Sequence, residues 1–361
     1  MIRLNQSGRK MIREENWNRL HSFLEECVEK GVFPGADFAM VTKDEVKTMV
    51  VGNKQLLPEV LPNEGNTIWD LASISKVLVT TTCVLKLMEE GLITLKTKVC
   101  DVIPEFKNKD VTVKDIITHS SGLPADINGY KAMTTEEMVE AVYNMELEYE
   151  RGSKVVYSDV NFILLGMIVE RLKGSLDGFP KRAMFEPLNM KDTCYCPTEE
   201  VYDRCAAYEL IENRGGVIRG TVHDGKAHKF NGVSGHAGVF STLEDMIHYV
   251  QMLFNDGVYD GKRFYSPVTI DLLKKCQTSS LNERRSIGWI ISDGNYPMGD
   301  YFSEHTLYHT GFSGSSMVID LDRKVAFICL NNRVHPTREN KLILTARNNM
   351  HNLAYQCLER E

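Results

Sequence analysis

The chain has 361 residues, of which 43% are hydrophobic and 25% charged, ordinary globular usage that excludes wholesale disorder, collagen-like repeats and low-complexity structure. Its length exceeds the size at which one hydrophobic core stops growing, so two folding units are expected. With 42 Lys and Arg against 49 Asp and Glu, the net charge of -7 lacks the basic footprint that a phosphate backbone demands, and nucleic acid is not an expected partner.

Met1–Lys10 carries positive charge but no apolar core or small-residue cleavage site behind it, so a cytoplasmic protein is expected. The apolar runs Val77–Leu85 and Phe162–Val169 fall short of the roughly 20 residues a membrane-spanning helix requires, and no membrane association is expected. Nine scattered cysteines are poor material for a disulfide framework, and Cys194 and Cys196 have no second pair nearby to close a zinc site. Reduced thiols, no metal and no cofactor are the expectation.

In chain order, Glu15–Lys30 places Trp17, Leu20, Phe23, Leu24 and Cys27 at helical intervals before Gly31, predicting an amphipathic helix. Ala36–Val41 and Val46–Val51 predict an antiparallel hairpin through residues 42–45. From about 71 to 230 the texture is helix and loop, with polar caps at Thr112 and Thr134 and an apolar helix over Asn161–Leu172. Ser241-Thr-Leu-Glu244 predicts another capping box, and Ser266-Pro267 a helix with proline at its first position. Ser315–Asp320 and Lys324–Asn331 predict a second hairpin, and a long amphipathic helix from about Arg338 ends the chain. A sheet built from both ends of a chain, with a helical stretch between, predicts an α/β fold: an antiparallel sheet flanked by helices in residues 1–70 and 235–361, and an inserted, mostly helical domain over 71–234. The cleft between them is the expected place for chemistry.

The segment Trp69-Asp-Leu-Ala-Ser73-Ile-Ser-Lys76 sets a hydroxyl and an amine three residues apart at a helix start, on one helix face. Dipole and partial burial should both disfavour the ammonium form of Lys76 and lower its pKa. The free N–H groups of that helix start can also help to hold an oxyanion. Alone, the pair is a weak pattern that reads first as a helix cap followed by a solvated lysine. Two further segments add to it: Tyr157-Ser-Asp159-Val-Asn161 ahead of a helix, and His309-Thr310-Gly311-Phe312 ahead of the second hairpin, where a strand edge can run beside a substrate.

With these motifs the chain resembles the penicillin-recognising serine hydrolases, in the group of class C β-lactamases, D-alanyl-D-alanine carboxypeptidases and their esterase relatives. The blocks around His119, Gly235-His236 and Asn332-Arg333 follow in the family's order. The resemblance implies that Ser73 is acylated and that Lys76 is its hydrogen-bonded partner. Tyr157, near Lys76 as a phenolate or in a shared-proton pair, takes the Ser73 proton and later activates water. It implies an oxyanion hole from the N–H groups of Ser73 and Phe312, His309 where β-lactamases usually have lysine, and Thr310 and Gly311 along the substrate strand.

Two positions depart from that pattern. Asp159 replaces a common asparagine and cannot donate a hydrogen bond to a substrate carbonyl, a role for which Asn161 sits two positions late; Asp159 reads equally as a first-turn helix acid. His309, neutral at pH 7, attracts a carboxylate less than lysine does. His119, Gly235, His236, Gly238, Arg333 and His335 read as loop-shaping residues, His305 with His309 lacks a third metal ligand, and Trp289 reads as core. The implied activity is a serine hydrolase acting through an acyl-enzyme on a small ester or amide. The alternatives are a penicillin-binding D-alanyl-D-alanine carboxypeptidase or weak class C-like β-lactamase acting on a peptide or β-lactam, and a non-catalytic β-lactam or peptide sensor.

Overall fold

The two predicted hairpins become the centre of a single sheet in the computed structural model, which describes residues 12–359; Met1–Lys10 lies outside the described residues. Gly35–Thr42 pairs with Val46–Gln55 in the register Ala36 to Val51, and Gly314–Asp320 pairs with Val325–Asn332. The first strand and the last then join edge to edge, Ala36 opposite Asn331 and Thr42 opposite Val325. Across the seven strands the order is Ile290–Ile291, Thr306–Thr310, Gly314–Asp320, Val325–Asn332, Gly35–Thr42, Val46–Gln55 and Leu61–Pro62, antiparallel at every step.

Side chains alternate across a strand, so consecutive residues feed two different cores. Phe38 and Met40 pack with Leu20 and Leu24 of the helix Glu14–Glu29 and with Met350 and Ala354 of the helix Ile343–Gln356. Ala39 and Val41 face the other core with Met246 and Val250 of the helix Leu243–Phe254 and the apolar residues of the middle segment. Each fully buried Leu or Phe here contributes roughly 1.5–3 kcal/mol over leaving it exposed, which ties both ends of the chain to one sheet.

Three expectations are corrected. The last helix begins at Ile343 rather than Arg338, because Arg333 takes the carbonyls of Arg338 and Asn340 out of any helical ladder. The cap of Leu243–Phe254 is Thr242, accepting from the Asp245 N–H, since Ser241 is occupied in the strand Val239–Ser241. The middle segment also holds short strands: Cys194–Tyr195 joins Trp69–Asp70 and Val239–Ser241 from the flanking segments in one small sheet, and Ala207–Ile211 pairs with Gly216–Arg219 in another. The predicted caps at Thr112, Thr134 and Ser266 stand where expected. Among the described residues no helix is long and apolar enough to cross a membrane.

The short strand Trp69–Asp70 carries the chain from this frame into the site. Its Trp69 Nε1 donates to Asp37 Oδ2 of the sheet at 2.8 Å. Beyond it a helical run from Ile74 to Glu89 opens with a π-helical turn at Lys76–Thr80, a local widening common at functional positions.

Candidate active site

Asp70 is fully buried and binds three segments at once. Its carboxylate accepts from Ala72 N–H at 2.8 Å and His223 N–H at 2.7 Å, and its carbonyl accepts from Ser313 Oγ at 3.1 Å. The first of these bonds holds Ala72 at φ 46°, an uncommon conformation for a residue with a side chain. That bend sets Ser73 at the mouth of the helical run. Gly311 is the matching half: a Cβ there would lie 2.5 Å from Leu71 O and 3.4 Å from Ala72 Cβ, so only glycine lets this strand end lie against the turn at Ser73. Ser73 N–H and Phe312 N–H, one on each side of that contact, donate to no protein acceptor among the described residues, the arrangement that stabilises an oxyanion.

The sequence expectation for Lys76 is reversed. Its Nζ is buried and reaches Ser73 Oγ at 3.0 Å, His236 O at 2.8 Å and Asp159 Oδ1 at 2.8 Å. Burial alone would lower its pKa, but the charges of Asp159 and Tyr157 outweigh it and hold the group above the ordinary lysine range. An ammonium has three N–H donors and no lone pair, and here all three have acceptors.

Asp159 begins the helix Asp159–Lys173, as its first-turn reading required, and it is also the counter-ion of Lys76. Its second oxygen meets Lys226 Nζ at 3.1 Å. Burial opposes its ionisation, but Lys76, His236 and Lys226 together hold its pKa down at about 2. Asn161 does not stand in for an amide donor, because it is buried with its Oδ1 accepting from Ser121 Oγ at 2.6 Å. Asp159, Asp224 and His236 bring one potential metal-ligand atom each within 4.8 Å of one another, though ammonium and N–H groups already bond both carboxylates.

Tyr157 stands over Lys76, whose Nζ is 5.0 Å from the ring centroid. His119, read from sequence as a loop former, lies against that ring, tilted by 38° with centroids 4.7 Å apart, and takes the Ser158 N–H on Nδ1. Desolvation, with the charges of Arg285 and Lys76, keeps its pKa well below the ordinary range and the ring neutral. Arg285 was not legible at all: its guanidinium lies 5.7 Å from the Tyr157 ring. It arrives on a loop remote from every motif.

His309 is buried and its Nδ1 meets Thr310 O at 2.9 Å, while its ring lies 5.9 Å from Tyr157. Desolvation and then Arg285 and Lys76 push its pKa well down, so it is neutral as expected. The neighbouring strand Ile290–Ile291 reaches only as far as Tyr308, which leaves the edge open at His309 and Thr310. Phe312 stacks on His223 at 5.8 Å, and its carbonyl accepts from Arg333 Nη2 at 2.8 Å. His305 instead pairs with Asp322, and Trp289 is core.

A cavity of about 610 Å3 opens over these groups, with Ser73, Tyr157, His309, Thr310, Gly311 and Phe312 in its lining. Arg285, Arg333, Arg338, Lys341 and Arg347 line the same cavity with one acid, Glu339, and of these Arg285 is paired with Glu283 and Arg338 with Glu209.

The family model described as Beta-lactamase matches residues 20–349. An N-acetylmuramyl-L-alanine amidase of Bacillus subtilis (strain 168) is 30% identical over 86% of this chain and 80% of its own length. A putative D-alanyl-D-alanine carboxypeptidase of Escherichia coli (strain K12) is 30% identical over 89% of this chain and 83% of its own. Among solved structures, a penicillin-binding protein homologue from Caulobacter crescentus superposes with a TM-score of 0.76 at 19% identity, covering 96% of this chain and 98% of that one. A class C β-lactamase superposes at 0.77 with 15% identity, covering 97% and 98%. Sequence and fold therefore agree that the chain belongs to the beta-lactamase family of hydrolases.

Proposed function

We propose that the protein is a serine hydrolase that forms an acyl-enzyme at Ser73 on small ester or amide substrates. The observation that carries this reading is the bonding of Lys76: its three N–H groups are engaged by Ser73, His236 and Asp159, so the amine has no free electron pair and the base is Tyr157. Tyr157 Oη, as phenolate, takes the Ser73 proton while Oγ bonds the substrate carbonyl carbon, and the N–H groups of Ser73 and Phe312 hold the oxyanion. The Tyr157 proton then passes to the leaving oxygen or nitrogen as that bond breaks. Water repeats the sequence in reverse and frees the acid.

Arg333, Lys341 and Arg347, the cavity cations with no acid partner among the described residues, outnumber its one acid, Glu339, and favour a substrate carrying an anionic group. This supports the peptidase reading as a second one, alongside the relatives named as D-alanyl-D-alanine carboxypeptidases. The test treats wild type and Ser73→Ala with a serine-directed phosphonate, a chromogenic ester and a β-lactam. The expected result is one phosphonate adduct on wild type by intact-protein mass spectrometry, none on Ser73→Ala, and turnover of the ester. Labelling retained in Ser73→Ala overturns the mechanism, and a lasting stoichiometric adduct without turnover supports a sensor instead.

A further inference from the structure

The loop and short helix around Lys226 reach the catalytic centre from behind and touch Lys76 twice. One contact is direct, from Lys76 Nζ to His236 O at 2.8 Å. The other runs through Asp159, whose Oδ1 lies 2.8 Å from Lys76 Nζ and whose Oδ2 lies 3.1 Å from Lys226 Nζ. Both lysines are buried. Lys226 is in turn held by Asp126 Oδ1 at 3.0 Å, with Asp224 Oδ2 at 3.9 Å and the Tyr130 ring centroid at 5.3 Å. Asp224 accepts from the N–H groups of Lys226 and Ala227 and meets His236 Nε2 at 2.9 Å. The groups that face Asp159 are therefore Lys76, Lys226, His236 and Asp224, with Tyr157 beyond Lys76.

We propose that Lys226 is a positioning residue for proton transfer: it occupies one oxygen of Asp159 so that the other is fixed on Lys76, and the Asp159–Lys226 pair works as a single unit in the place where an amide commonly stands. A carboxylate between two ammonium groups satisfies both, since it accepts on each oxygen. An asparagine has one acceptor and one donor, so at position 159 it would turn its NH2 on one of the two lysines. Asp159 and Lys226 are thus matched, and changing either alone breaks a buried set of charges that is compensated as a whole. The proposal rests on the acyl-enzyme reading of Ser73.

The sign of the pH effect follows from the charges. Lys226 helps to hold Asp159 ionised; without it the carboxyl is left with Lys76 and His236 against Asp224 and burial, and takes up a proton at higher pH. An ionised Asp159 is what holds the Lys76 ammonium in place by a charge-assisted bond, and protonating it weakens that hold. The acid limb of kcat/KM for a chromogenic ester should therefore move to higher pH in Lys226→Met and return in Lys226→Arg. Asp159→Asn should cost about tenfold to a hundredfold in kcat/KM, the effect of losing a bond between charged partners. The double variant Asp159→Asn/Lys226→Met, which removes the NH2-to-ammonium conflict, should be faster than Asp159→Asn alone. A merely structural lysine would move neither the limb nor the sign of that coupling. Should Lys226→Met not yield folded protein, Lys226→Gln gives the same uncharged comparison.

Folded variants with the wild-type pH profile, or a double variant as slow as the product of the single losses, overturn the proposal. Phosphonate labelling of Ser73, run in parallel, keeps the two readings apart. An unlabelled wild type sinks the acyl-enzyme reading, whereas a labelled wild type with a fixed acid limb sinks Lys226 alone.

Discussion

Ser73 and Lys76 are three residues apart, and that spacing alone puts both on one helix face. The charge on Lys76 was not legible in the sequence, because it depends on Asp159 and on the His236 carbonyl, which lie 83 and 160 positions further along and reach the lysine only through folding. Burial does act in the expected direction, but a partner that the linear sequence does not reveal outweighs it. On the proposed mechanism Lys76 is a donor and Tyr157 carries the proton transfer. Tyr157→Phe, which keeps the ring against His119, is expected to lower kcat for the best ester by about 10²–10⁴, the usual effect of a lost general base. Steady-state kinetics at neutral pH check it. A kcat near wild type would return the role of base to Lys76.

At the scale of elements, the legible part is whatever repeats along the chain. Helix Glu14–Glu29 shows its 3.6-residue period, and both hairpins show β-prone runs around a polar turn, so their bounds can be read to within a residue or two, except that Val46–Val51 continues to Gln55 where Gly52-Asn53-Lys54 hides the strand. Arg285 and Arg338 belong to irregular segments and Lys226 to a helix of five residues, Gly225–Lys229, too short to show a period, and only tertiary folding brings them to the centre. The contact between the turn at Ser73 and the strand end at Gly311 is of the same kind. Gly311→Ala would set a Cβ 2.5 Å from Leu71 O, and because backbone cannot swing aside as a side chain does, Phe312 N–H must shift. The expected loss in kcat is about 10²–10³, comparable to removing one oxyanion-hole donor. Stopped-flow acylation shows it, with Ser73 still labelled slowly by phosphonate. Unchanged acylation would mean that Phe312 N–H does not hold the oxyanion.

For the whole molecule, the bond from Trp69 Nε1 to Asp37 joins the sheet to the strand that leads into the turn at Ser73. Asp37 is buried, and desolvation outweighs its bonds from Trp69 and Asn63 to push its pKa up from 3.8 to about 6. Between those values the folded chain binds a proton that the unfolded chain has lost. This contribution is therefore complete below pH 3.8 and disappears as pH rises through about 6, on the order of 3 kcal/mol at roughly 1.4 kcal/mol per unit. Asp37→Asn removes the titration, so the difference in Tm between variant and wild type should change with pH across this window and level off above it. Chemical or thermal unfolding along a pH series measures it, and a constant difference would assign Asp37 an ordinary pKa. The pairing of Ala36 with Asn331 has a further result, in the order of synthesis. The strand that Trp69 leans on gains its inner neighbour only when the last strand has been made, long after Ser73, Lys76 and Tyr157 have left the ribosome. Such distant pairing is slow to form, so a chain cut short before Val325 carries Ser73, Lys76 and Tyr157 without the strand that completes the frame beneath them.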